Sequence, residues 1–302
     1  MVFHINLIAL LSCIITLFYS QANAAAWTQG KGHGQAIISL EGYQSANYFD
    51  DNSNIKDSGS KFIKYEINPF FEYGLTDDIT IGINPMIQYW QNDKPQTSAT
   101  NNSTRSCNTN GFTSGEIIES EFFVRKKLLD RNNAVVSIQP LVKTPCLRIN
   151  DGDISVLGNS YDLELRILGG YGFKWDSDGR MRPFTGQYHF VNLESAYRKR
   201  HGDYSDQIKI DGTAGFRFNK DVLILGQVFS VISTGKEIVG TTEVTQNIFI
   251  PRNDNYYNLK LQLSGVVQMT KTSSFQLGVY TDALGKNYGQ GTGVLAAIWK
   301  GF

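Results

Sequence analysis

The sequence carries no excess of either charge: 28 basic residues stand against 28 acidic ones in a chain of 302. A polyanion such as a nucleic acid therefore gets no electrostatic support. Cysteine is scarce (3), histidine scarcer than its usual share (4) and proline infrequent (7). No CxxC pair occurs, and His33, His189 and His201 are too scattered to form a metal-ligand spacing, so neither a metal centre nor a cofactor is expected. After residue 26 no apolar run is long enough to cross a bilayer as a helix. The Gly30-x-Gly32-x-Gly34 run fails as a phosphate loop, because it leads into a strand and no Lys-Ser/Thr follows. No nucleophile–base–orienter set is apparent, and an enzyme is not expected.

The chain begins with an apolar stretch from Val2 to Tyr19. It ends in Ser20-Gln21-Ala22-Asn23-Ala24-Ala25-Ala26, which offers two small-residue cleavage patterns. This reads as a signal peptide over 1–24, with Ala26 as the alternative boundary, and residues 25–302 as one exported domain. Export without a later helical anchor leaves the periplasm, the medium or the outer membrane of a Gram-negative cell.

The mature sequence alternates in steps of two. Ile63, Tyr65, Ile67, Pro69, Phe71 and Tyr73 form one face, opposite Lys64, Glu66, Asn68, Phe70 and Glu72. The same rhythm returns from Tyr161, Ile208 and Leu259. These runs are about ten to fourteen residues long. Soluble strands average ~5–6, and membrane-spanning strands need ~9–11. Charges sit in the middle of the polar face. Aromatics cluster at the run ends, as in Phe71 and Tyr73, Tyr89 and Trp90, Tyr171 and Phe173, and Phe216 and Phe218.

Tight turns rich in Asp, Asn, Gly and Lys fall at 75–78, 129–133, 176–179, 219–221 and 271–273. Longer polar connections fall at 49–60, 91–114, 147–158, 195–204, 235–254 and 285–289. Five short and six long connections predict an all-β fold: a transmembrane, antiparallel, up-and-down β-barrel of about 12 strands with both termini periplasmic. Ten or fourteen strands would also fit the blurred first and ninth runs. Phe302 closes an alternating terminal strand with Ile298, Ala296 and Val294. That pattern resembles the signal read by the outer-membrane barrel assembly machinery, and lipid with lipopolysaccharide would be the remaining surroundings.

Ala26-Trp27-Thr28-Gln29-Gly30-Lys31-Gly32-His33-Gly34-Gln35, followed by a strand and Tyr48-Phe49-Asp50, resembles the opening of an outer-membrane barrel family named for the meta-pathway of phenol degradation. The hairpin from Lys64 to Thr80, with Tyr73-Gly74-Leu75-Thr76-Asp77, is similar to it as well. The resemblance covers roughly the first quarter of the mature chain. It implies a channel or transporter for small molecules, hydrophobic or aromatic ones among them. The alternative is a structural or surface-interaction barrel with a closed lumen.

By parity the lumen receives Glu41, Lys64, Glu66, Glu72, Glu119, Glu121, Arg125, Lys127, Lys143, Asp162, Glu164, Arg166, Lys209, Asp211, Arg217 and Lys260. His189, between Tyr188 and Phe190, is expected to join them. These side chains would either line a solute path with a mixed field or pair into a network that holds a narrow lumen together. Cys107 in the longest connection and Cys146 near a strand end fall on the same rim, within reach of a disulfide in an oxidising compartment.

Overall fold

A computed structural model describes residues 26–93, 114–144, 146–150, 153–157, 161–175, 181–183, 189–201, 205–219, 221–235 and 255–302. Its strands are β1 (Gly34–Phe49), β2 (Ile55–Thr76), β3 (Ile79–Asn92), β4 (Ser114–Arg131), β5 (Ala134–Lys143), β6 (Cys146–Asn150), β7 (Asp153–Leu157), β8 (Asp162–Trp175), β9 (Met181–Pro183), β10 (His189–Arg200), β11 (Gln207–Arg217), β12 (Val222–Ser233), β13 (Tyr257–Thr270), β14 (Ser273–Lys286) and β15 (Tyr288–Gly301). Twelve of them pair antiparallel in a ring that closes where β1 meets β15, as in Leu40 opposite Ala296. Closure satisfies every edge, which a sheet in lipid requires. The pieces outside the ring are β9, paired with β8, and the β6–β7 hairpin, which leans on β4.

The outer face is Leu, Ile, Val, Phe and Tyr. Ile38, Leu40, Tyr65, Ile67, Leu163, Leu165, Ile167, Leu193, Ile210, Leu261, Leu263, Val279 and Val294 are all exposed. In water this surface would be an aggregation site; facing acyl chains it is the stable arrangement. The inner face holds the carboxylates, guanidiniums and amides, and most of the buried residues are of these polar kinds. The hydrophobic effect that usually fills a protein interior here coats its exterior.

One end of the ring carries tight turns. Asn132 (φ 52°) and Asn133 (φ 65°) both adopt the left-handed conformation, so the β4–β5 turn needs residues that tolerate it. The start of β1 meets the C-terminal residue at this end: Gly34 N–H donates to Phe302 O (2.8 Å) and Phe302 N–H to Gly34 O (3.0 Å).

At the other end, several connections differ from expectation. β2 begins at Ile55, so the 49–60 loop shrinks to a turn around Asp50, whose carboxylate accepts from the Asn52 and Asn54 amides. The 285–289 loop reduces to a turn at Asn287 (φ 50°). Residues 147–158 contain a hairpin because Leu147-Arg148-Ile149 resumes pairing along β4. The strand expected to end at 194 continues to Arg200. Its inward face, Glu194, Ala196, Arg198 and Arg200, is too polar to read as strand until its partners on the neighbouring strands are known.

Candidate functional site: the lumen

Inside the ring lies a cavity of about 860 Å³. The inward side chains that line and back it divide into an ionic wall, an aromatic wall and an apolar floor.

The ionic wall is built by β4, β5, β8, β10 and β11. Glu164, with its side chain fully shielded from solvent, is the hub: it accepts from Arg166 (2.8 Å) and Arg198 (2.6 Å), with Lys209 at 3.4 Å. Arg166 also bridges Glu194 and Asp211 (3.4 Å). Arg198 reaches Glu121 and, at 3.9 Å, Asp162, which Arg200 approaches at 3.7 Å. Lys143 pairs with Glu119 at 2.8 Å. The register produces these meetings, since Arg198 stands directly opposite Glu164 and Glu194 opposite Asp211. Charges held this far from bulk water need such mutual compensation. Lys143, Arg166, Arg198, Arg200 and Lys209 give five cations against the six acids Glu119, Glu121, Asp162, Glu164, Glu194 and Asp211, so the wall is nearly neutral.

The aromatic wall lies on β1, β2 and β12 to β15. Tyr43 and Tyr280 have rings within 9° of parallel and 6.2 Å apart. They lie over Gly291 and Gly293, whose missing side chains leave room for them. The Tyr43 hydroxyl donates to Asp282 (2.7 Å), and the Asn258 amide donates to the same carboxylate (3.0 Å). Lys64 pairs with Glu66 at 2.8 Å. Lys260 sits 4.6 Å from the Phe229 ring and 4.9 Å from Tyr280, a cation–π arrangement.

The floor, at the tight-turn end, is apolar: Leu223, Leu225, Val266, Phe190 and Trp299 pack together, next to Leu295, Ala297 and Ile37. Here the segment ahead of β1 turns into the barrel. Ser137 donates to Ala26 O (2.7 Å), Arg125 to Trp27 O (2.9 Å), and Gln29 to Glu72 (2.6 Å). Arg125 and Glu72 form a buried pair at 3.1 Å, and Arg125 also holds Gln139. Trp27 packs against Ala26, Val135 and Leu168. Arg125 thus clasps the N-terminal segment across the floor.

Lys64, Glu66, Glu119, Glu121, Arg125, Glu164, Arg166, Lys209, Asp211 and Lys260 all sit on inward positions, as does Arg217 at the tight-turn end of β11. His189 does not. It lies on the outer face, stacked on Phe216 (4.4 Å) and beside Phe173 (5.5 Å). Its neighbour Phe190 takes the inward position and meets Trp27 there. Trp90, expected in an outer girdle, also points inward and is buried. Cys107 and the side chain of Cys146 lie outside the described residues, so their bridge is left as an expectation. Arg198, Glu194, Asp282, Tyr43, Tyr280 and the N-terminal segment were not anticipated as site elements. Arg198 lay in a stretch read as loop. The inward position of Tyr43 follows from its alternation with Gly42 and Gln44, once β1 is placed.

No family model matches the chain, and no curated protein matches it. Solved structures do. An outer membrane channel from Pseudomonas putida F1 superposes with a TM-score of 0.66 at 10% identity, covering 94% of this chain and 100% of that one. The beta domain of the Bordetella autotransporter BrkA gives 0.50 at 8% identity, covering 89% and 99%. The chain has the fold of an outer-membrane β-barrel: closed, twelve-stranded and antiparallel.

Proposed function

We propose that this chain is an outer-membrane channel for the uptake of small molecules, hydrophobic or aromatic ones among them. The observation that carries the reading is the 860 Å³ cavity within a lipid-faced ring, bounded by both an ionic and an aromatic wall. A solute passing through would keep its polar groups on the first wall and its apolar body on the second. The resemblance of the N-terminal sequence to the meta-pathway barrel family supports the same reading, as does the likeness of fold to an outer membrane channel. In this reading residues 1–24 are a cleaved signal peptide and both termini face the periplasm. Phe302 is recognised by the assembly machinery, and lipid and lipopolysaccharide surround the ring.

Purified barrel in planar bilayers tests this: discrete conductance steps are expected. A folded, heat-modifiable barrel that stays silent would favour the second reading, a structural or surface-interaction barrel. That reading draws on the N-terminal segment across the floor and on the paired charges of the ionic wall. Phe302→Ala should lower the amount of assembled barrel several-fold while export continues; unchanged assembly at normal expression removes Phe302 from the signal.

A further inference from the structure

Trp27 occupies a seat shaped for a flat ring. Across from it is Gly170, where a Cβ would come within 2.5 Å of the indole. Phe190 meets the ring edge-on, centroids 6.4 Å apart and planes at 78°. Leu168 and Val135 close the apolar side. The same hollow holds Asn192, directly opposite Gly170 in the sheet and 6% exposed. Its Oδ1 has no hydrogen-bond partner among the described residues and stands 2.8 Å from where a Gly170 Cβ would be. A dry acceptor is costly to keep unless something supplies a donor to it. Leu168, Phe190 and Asn192 also line the cavity, so a solute descending through the lumen reaches the seat.

We propose that this seat is a binding site for a flat aromatic solute bearing one N–H or O–H donor, and that such a solute opens the floor by taking the place of the Trp27 indole. The inference rests on the channel reading and gives it a solute class and a gate. The exchange swaps one buried ring for another, so little apolar burial is lost. What the solute adds is the donor to Asn192. The segment then loses its one apolar anchor and is held by polar ties alone, to Ser137, Arg125, Glu72, Thr80, Asp77 and Gly74. Binding that distinguishes the seated from the unseated segment shifts the population toward the open floor.

Indole is the probe and naphthalene, equally flat but without a donor, the control. Two readouts are taken on the full mature barrel: conductance in planar bilayers and hydrogen exchange of residues 27–33 in detergent. Indole should raise conductance several-fold and speed exchange in that segment, with naphthalene about tenfold weaker, as one hydrogen bond predicts. Trp27→Ala should conduct at the higher level without indole and ignore it. Asn192→Leu should respond equally to indole and naphthalene. Gly170→Ala, whose methyl group contests the ring position, should resemble Trp27→Ala and serves if that variant folds poorly. Faster exchange without conductance in any variant would support the seat and refute the channel. Conductance that is the same in wild type and Trp27→Ala, with no effect of indole on exchange, would overturn the seat and leave the channel standing.

Discussion

Glu164 shows what a single lumen residue does in this architecture. Its carboxylate faces Arg166, Arg198 and Lys209 at once, and its side chain has no solvent contact. Removing the charge affects the three cations unequally. Arg166 keeps Glu194 and Asp211, and Arg198 keeps Glu121 and Asp162. Lys209 loses the only salt bridge it makes among the described residues. Breaking a buried pair from one side costs ~3–5 kcal/mol, and the surviving partners place Glu164→Gln near the low end, about 3 kcal/mol. The expected result is a lower urea midpoint for the folded barrel with export unaffected. Adding Lys209→Met should recover part of that loss, because the stranded cation goes with its partner. A double variant no more stable than the single one would mean that Lys209 already finds compensation elsewhere. The aromatic wall is held differently: Lys260 lies over two ring faces and makes no salt bridge among the described residues, so its removal should cost less.

Strands were legible where one face is purely apolar. β8, β11 and β13 keep their alternation for their whole length, and β2 from Ile63 onward, because lipid demands it of every outward residue, and the tight turns declare themselves through Asp and Asn. Elements at the long-connection end were not legible. The last residues of β10 carry Arg198, Lys199 and Arg200, and a run of cations looks like solvent until Glu164, Asp162 and Asp206 are seen to face it. The N-terminal segment escaped notice for a similar reason: Gly30, Gly32 and Gly34 signal flexibility, while its anchors Ser137, Arg125 and Glu72 lie far away in sequence. Asp206, in the β10–β11 connection, allows a test at this scale. It accepts from the Tyr197 hydroxyl (2.6 Å), Lys199 (2.9 Å) and the Arg200 amide (3.0 Å). The Tyr197 hydrogen bond is the main cause that brings its carboxyl down from 3.8 to about 2. A carboxyl held low in the folded state stabilises it above the ordinary value, and the contribution fades as pH falls through about 2. The connection should therefore resist protease equally at pH 7 and pH 5 in wild type. Asp206→Asn should be cut faster at both; equal cutting of the two proteins would remove the clasp.

The whole molecule inverts the usual distribution of polarity, and the inversion rests on register alone. A slip of one residue would turn every charge of the ionic wall into lipid. Neighbouring residues should then give opposite results on the same substitution. Leu261 and Gln262 are consecutive near the middle of β13: Leu261 faces outward and is exposed, while Gln262 faces the cavity and donates to Gln227 at 2.8 Å. An arginine facing mid-bilayer lipid costs ~2–4 kcal/mol. Leu261→Arg should reduce the heat-modifiable barrel in the membrane fraction, and so should Ile210→Arg on β11, which is exposed on the same outer surface. Gln262→Arg meets the cavity, which Glu41 of β1 and Glu66 of β2 also line. It should assemble at the wild-type level and move ion selectivity toward anions, since it adds one positive charge to the path. Equal tolerance of Leu261→Arg and Gln262→Arg would refute the register of β13, and with it the closure between β12 and β14. Damage from Gln262→Arg as severe as from Leu261→Arg would mean that the lumen is packed too tightly to admit a guanidinium, and the channel reading would then yield to the closed structural barrel.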